Sequence, residues 1–213
     1  GLNLMEMMDA ASKGELKALW ISGLDLYLTL ANAASTRKAL QSIEFIIVQD
    51  IFLNETAKEF GTVFLPAASP YEKDGTFMSS ERRVQRVSKV HDPVGKSKSD
   101  WEIICQMAKE MGKGDYFDFH SAEEIWNEIR TVWKDAAGIT YPRMENGGLQ
   151  WPCPTIDHPG TEILHADTFT IGKQSPLKCI EYIPTRETTN EEFPFLLTTG
   201  RTLYHFNAGT MTG

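Results

Sequence analysis

Residues 44–68 read EFIIVQDIFLNETAKEFGTVFLPAA, and the fold follows from how this stretch divides. Phe45–Val48 is an apolar run closed by Gln49 and Asp50. NETAKEFG then opens on Asn54 as a helix with an asparagine cap, and TVFLPAA is a second apolar run. Short apolar runs bounded by helices mark strands buried on both faces, and strand, helix, strand in that order makes a right-handed crossover. The same alternation runs upstream. LMEMMDAASKGEL (4–16) has apolar residues at helical spacing up to Gly14, KALWISG (17–23) is a short apolar run closed by glycine, and LANAASTRKALQSI (30–43) is helical. The expected fold class is α/β: a doubly wound, mostly parallel, Rossmann-like sheet.

After Ala68 the alternation stops. DGTFMSSERRVQRVSKV (74–90) has β-prone alternation after an Asp-Gly turn and reads as a hairpin or an extended excursion. Arg82, Arg83, Arg86, Lys89, Lys96 and Lys98 stand there against Glu81, Asp92 and Asp100, a local basic patch. SDWEIICQMAKEMG (99–112) is a helix capped by Ser99 or Asp100, with Ile103, Ile104, Met107 and Met111 as its stripe and Gly112 as its stop. SAEEIWNEIRTVWKDAAG (121–138) is another, with Ser121 and Glu124 at capping-box spacing. Residues 139–176 form a long irregular connection, while LKCIEYIP (177–184) and FPFLLTTG (193–200) read as strands.

The chain has 213 residues and a net charge of −8, which argues against general binding to nucleic acid or anionic membranes. No apolar run approaches the ~18 residues of a membrane span, and the first residues lack the blocks of a signal peptide, so a cytoplasmic location is expected. Cys105, Cys153 and Cys179 are odd in number and form no C-x-x-C pair. They are expected to be buried structural thiols; their number and spacing argue against a disulfide framework or a zinc knuckle, and an iron–sulfur cluster cannot be built from this chain alone.

Motif by motif, no complete catalytic apparatus emerges. VGKSKS (94–99) ends like a phosphate-binding loop, yet Val90 stands where its first glycine belongs. No G-x-G-x-x-G occurs, and the five histidines (91, 120, 158, 165 and 205) have no metal-ligand spacing. What remains is positional. In an open α/β sheet, ligands sit at the carboxyl ends of the strands, here marked by Gly23 with Asp25, Gln49 with Asp50, and Pro66-Ala67-Ala68. Asp50, ending the second strand, is placed to accept from two hydroxyls of a ribose, or else to cap the turn that follows it.

Three segments together resemble one family. VQDIFLNETAKEFGTVFLPAASPYEKDGTFMSSERRVQR (48–86) resembles the run V-Q-D-I-F-x-T-E-T-A, D-V-V-L-P-A-A, E-K-D-G-T-F-x-N-x-E-R-R-x-Q of molybdenum- or tungsten-dependent formate dehydrogenase alpha subunits. SDWEIICQMAKEMG resembles the P-D-W-E-I-I helix of that family, and FPFLLTTGRTLYHFNAGTMTG resembles its segment F-P-x-x-L-x-T-G-R-x-x-x-H-x-x-x-x-x-M-T. The match extends to the wider molybdopterin oxidoreductase (DMSO reductase) superfamily, with the E-R-R-V-Q block favouring formate dehydrogenase.

The resemblance implies an internal fragment of a catalytic subunit that oxidises formate to carbon dioxide, inactive by itself, with no catalytic residue or metal ligand of its own. The cofactor implied is molybdopterin guanine dinucleotide carrying Mo or W, with iron–sulfur clusters elsewhere in the longer chain. The implied partners are the remainder of the catalytic subunit and electron-transfer subunits bearing iron–sulfur or flavin groups, with NAD as a common acceptor. No contact with nucleic acid or membrane is implied.

Dinucleotide contacts are implied at Gly23, Asp25, Gln49, Asp50 and Asn54 (usually Thr in the family), and at Thr199, Gly200, Arg201 and His205 near the pterin and phosphates. Leu24 and Leu26 depart from the Glu and Pro of the family's Gly-Glu-(Asn/Asp)-Pro turn. Under the resemblance, 1–79 is an α/β cofactor-binding layer, 80–97 an excursion to a neighbouring domain, and 98–113 a returning helix. Residues 114–190 are then a helix and long irregular connection, and 191–213 the truncated start of a β-barrel dinucleotide-binding domain. Two other readings compete: a sister oxidoreductase such as a nitrate reductase, and a non-catalytic interaction module.

Overall fold

The computed structural model describes residues 1–200 and 202–204. Each helix of the first part begins at a side-chain cap. Asn3 accepts from Glu6 N (3.0 Å) and Glu6 returns the bond to Asn3 N (2.8 Å), starting α1, Leu4–Ser12. β1, Ala18–Ser22, leads to Asp25, whose carboxylate caps the short α2, Leu26–Thr29. Asn32 caps α3, Ala33–Gln41, and β2 follows at Phe45–Asp50. Asn54 accepts from Ala57 N (2.9 Å) to start α4, Glu55–Phe60, ahead of β3, Val63–Pro66. Side chains that satisfy the orphan N–H groups of a first turn are what make such short helices hold.

The three strands pair parallel in the order β1-β2-β3, as the alternation predicts, with Val48 opposite Ile21 and Phe64. Ile21, Ile46 and Val48 bury one face of the sheet against Met8, Ala11, Leu26, Ala39, Leu40 and Ala57 of α1–α4. Each such aliphatic side chain, taken fully out of water, contributes about 1.5–3 kcal/mol. On the other face Trp20 and Phe45 stay about 40% exposed, at 37% and 41%.

Beyond β3 the chain forms β4, Gly75–Met78, and β5, Arg83–Val87, an antiparallel hairpin. Its reversal falls at Ser79–Arg82, where Arg82 takes a left-handed φ of 67°, rather than at the Asp-Gly pair, because Gly75 already belongs to the strand. A bridge from Ala67 to Lys98 brings the chain back beside β3, and α5, Asp100–Glu110, starts with a reciprocal Ser99–Glu102 box. Its buried face is Ile103 and Ala108. Ile104 (42% exposed) and Met111 (71%) face outward, so the expected stripe is rotated by about one position.

α6, Ala122–Val132, is capped by Ser121, but the Glu124 carboxylate accepts from His120 N (2.7 Å), one residue earlier than a capping box requires. After α7, Tyr141–Met144, β6 (Leu149–Gln150) adds to β5. A second core gathers Val84, Trp126, Ile139, Tyr141, Met144 and Cys153.

The chain separates into two compact units, Gly1–Glu162 and Ile163–Gly213. In the second, neither expected strand forms. Leu177, Ile180, Tyr182 and Ile183 are 84–98% exposed, and Phe195 and Leu197 are 88% and 93%. A strand exists only with a neighbour to exchange backbone hydrogen bonds, and among the described residues these segments have none.

Candidate functional site

The carboxyl ends of the three strands lie side by side because the parallel ladder continues one residue beyond each. Gly23 N donates to Gln49 O (2.9 Å), and Ala67 N donates to Asp50 O (3.0 Å). Gly23 has φ +63°, and a Cβ built on it would meet nothing within 4 Å. The glycine is there for its backbone conformation, and the space above it is open.

Asp50 is half-buried. Its Oδ1 accepts from Ile51 N (2.7 Å), with Phe52 N at 3.5 Å, and its Oδ2 accepts from Asn54 Nδ2 (2.9 Å). Asn54 is therefore bifunctional: its carbonyl caps α4 while its amide holds Asp50. Asp50, Asn54 and Gly23 form one patch of the edge.

Asp25 and Gln49 face inward instead. Asp25 is 5% exposed, and its oxygens accept from Thr56 Oγ1 (2.6 Å), Glu55 N (3.1 Å) and Leu28 N (3.3 Å), joining the starts of α2 and α4. Gln49 is 1% exposed; its Oε1 accepts from Trp20 Nε1 (3.1 Å) and its Nε2 donates to Asp100 Oδ1 (2.8 Å). Asp100 also accepts from Lys73. Burial works most strongly against ionisation of Asp100, but the bonds from Lys73 and Gln49 and the charge of Lys73 prevail, and its carboxyl is held below the usual range.

Thr199 and Gly200 lie exposed in the second unit, outside any helix or strand, and Arg201 and His205 lie outside the described residues.

Most of the basic patch is engaged within the chain. Arg82 donates to the carbonyls of Trp151, Thr161 (3.0 Å) and Glu162 (2.9 Å). Arg83 pairs with Glu81 (2.9 Å), Arg86 lies over the Tyr141 ring and 3.8 Å from Glu145, and Lys89 pairs with Asp92 (2.7 Å). Lys96 and Lys98 have no acidic partner among the described residues. Sequence reasoning missed the Arg82 clamp, whose acceptors are backbone carbonyls and leave no trace in residue type. Of the cysteines, Cys153 is buried as expected, Cys105 is half-buried, and Cys179 is exposed because its segment packs against nothing in its unit. Among the described residues, no helix is long and apolar enough to cross a membrane.

A family model described as molybdopterin oxidoreductase matches residues 1–110. The chain is 44% identical over 213 residues to the F420-dependent formate dehydrogenase subunit alpha of Methanocaldococcus jannaschii, covering all of this chain and 31% of that protein. It is 37% identical over 220 residues to the assimilatory nitrate reductase catalytic subunit of Bacillus subtilis, again covering 100% and 31%. Against formate dehydrogenase H of Escherichia coli the identity is 35% over 217 residues, covering 100% and 30%. The chain thus spans under a third of the length of these curated relatives. Among solved structures, acetylene hydratase from Pelobacter acetylenicus superposes with a TM-score of 0.52 at 20% identity, over 58% of this chain and 18% of that one, a likeness of fold alone.

Proposed function

The chain belongs to the molybdopterin oxidoreductase family, and from that premise we propose that it is the part of a formate dehydrogenase catalytic subunit that helps hold a molybdopterin guanine dinucleotide. The observation that carries the choice of formate is identity across the whole chain. Two F420-dependent formate dehydrogenase alpha subunits match at 44%, against 37% for the nitrate reductase.

The edge of the sheet fits a dinucleotide. Gly23 leaves open space at a strand end, and a carboxylate and an amide stand beside it at Asp50 and Asn54. A ribose hydroxyl would donate to Asp50, and Asn54 would hold that carboxylate in place. Asp25 and Gln49 would act from behind, by fixing the backbone. Thr199, Gly200, Arg201 and His205 are proposed as contacts near the pterin and phosphates on the match of their T-G-R-x-x-x-H motif alone. The cofactor, with Mo or W, supplies the two-electron chemistry that takes formate to carbon dioxide and a proton; this chain supplies binding and orientation.

The sheet belongs to the doubly wound, Rossmann-like type, completed by the remainder of the catalytic subunit in the cytoplasm. Electrons leave through iron–sulfur and flavin subunits, and the names of three relatives, F420-dependent formate dehydrogenase alpha subunits, favour coenzyme F420 over NAD as their destination.

The complete subunit tests the reading. Purified with its cofactor, it should oxidise formate with a dye acceptor and leave nitrate untouched. Nitrate reduction without formate oxidation would replace this reading with that of the sister enzyme.

A further inference from the structure

Gln49 ends β2 beside Asp50, and by the alternation of a strand its side chain lies on the face opposite Val48 and the helices. The amide is bonded at both ends. Trp20 of β1 donates to its oxygen at 3.1 Å, and its nitrogen donates to Asp100 at 2.8 Å. Asp100 is the first residue of α5, where the chain has just returned from the hairpin; its second oxygen takes the ammonium of Lys73, which stands just before the chain leaves for β4. One buried side chain therefore reaches the return of the excursion directly and its exit through Asp100. The backbone agrees: Lys98 N donates to Pro66 O (3.2 Å) and Ala68 N donates to Lys98 O (2.8 Å), so the two crossings run side by side at the end of β3.

We propose that Gln49 and Asp100 are positioning residues: together they latch the excursion of residues 67–98 onto the sheet and so fix the strand ends that carry the dinucleotide contacts. The inference rests on the functional reading above. Its physical content is directional. An apolar residue at position 49 would fill the space with no preferred partner, whereas an amide bonded as acceptor on one side and donor on the other admits one arrangement, and each partner it loses leaves a buried polar group unpaired. The latch works through Asp50, the sequence neighbour of Gln49, and through Pro66 and Ala68, whose backbones bond to Lys98 two residues before Asp100, and it touches no ligand itself.

The test exchanges acid and amide between the two positions in the complete subunit. In Q49E two carboxylates face each other, and retention of metal per polypeptide after dialysis should fall about tenfold, the effect of one lost charge-assisted bond. In Q49E/D100N one carboxylate and one amide face each other again beside Lys73, and retention should return to within about twofold of wild type. If Q49E does not accumulate, the same rescue is read on soluble protein, and a double variant that also fails to accumulate overturns the latch. It is equally overturned if Q49E keeps its metal, if the double variant stays as depleted as Q49E, or if only the melting temperature falls while metal per folded chain is unchanged. Failure of the functional reading shows differently, in a wild-type subunit that does not oxidise formate.

Discussion

The hydroxyl of Thr56 donates to Asp25 over 2.6 Å, both side chains out of solvent, and so joins the first turn of α4 to the cap of α2 across 31 residues of chain. Thr56 in turn accepts from Tyr27 N at 2.9 Å, closing a small ring of bonds beneath the edge of the sheet.

Removing the centre of that ring should be costly. Asp25→Ala strands three donors and is expected to lower stability by about 3 kcal/mol; Asp25→Asn, which keeps an acceptor, should cost about half as much. Urea denaturation of the folded protein measures both. An unchanged midpoint in Asp25→Ala would remove Asp25 from the framework.

Asp50 separates two effects. Its bonds to Ile51 N and Asn54 are local, so Asp50→Ala should cost about 1 kcal/mol of stability, as the loss of a cap does. If it also receives the ribose, the complete subunit should hold its cofactor about tenfold to a hundredfold less well, with turnover per loaded site unchanged. Metal content equal to wild type would leave Asp50 as a turn cap only.

Arg82 holds the irregular segment to the hairpin through three carbonyls. Lysine keeps the charge but not the planar fork, so Arg82→Lys should release residues 151–162 without unfolding the parallel sheet. Hydrogen exchange would show faster exchange there and unchanged protection in β2. Protection of residues 151–162 equal to that of the wild type would mean that the clamp is redundant.

Gly138 is buried, and a Cβ built on it would lie 2.0 Å from Thr155 O and 2.8 Å from Cys153 O, both rigid backbone atoms. Gly138→Ala must push this segment apart, at a cost of about 3 kcal/mol or more. The Trp133–Trp151 contact, with ring centroids 5.6 Å apart, should loosen with it and alter near-ultraviolet dichroism. A variant as stable as the parent would refute the packing.

Acid should open the latch. The carboxyl of Asp100 is depressed in the folded protein, so its contribution is fully present above the unfolded value of about 3.9 and is lost as pH falls through the lower folded value. Asp100→Asn should flatten the stability profile below about pH 4 relative to wild type. Parallel profiles would show that Asp100 contributes nothing to acid sensitivity.

What the sequence determined by itself was local. β1, β2 and β3 stand where short apolar runs stand, since a run of that length bounded by capped helices suits a strand of a layered sheet better than a helix. Asn54 and Ser121 start helices because their side chains find N–H groups three residues ahead. Tertiary structure alone decided which side chains at the strand ends are free to meet a ligand. Asp25, Gln49 and Asp50 look alike as polar residues beside apolar runs, yet Gln49 is consumed by Trp20 and Asp100, 29 and 51 residues away, and Asp25 by Thr56, 31 away, while Asp50 bonds within four residues of itself. The same distance rule explains the misread strands at 177–184 and 193–200. Their composition is right for β structure, but a strand is made by its neighbour, and pairing between distant segments is written in no window of sequence.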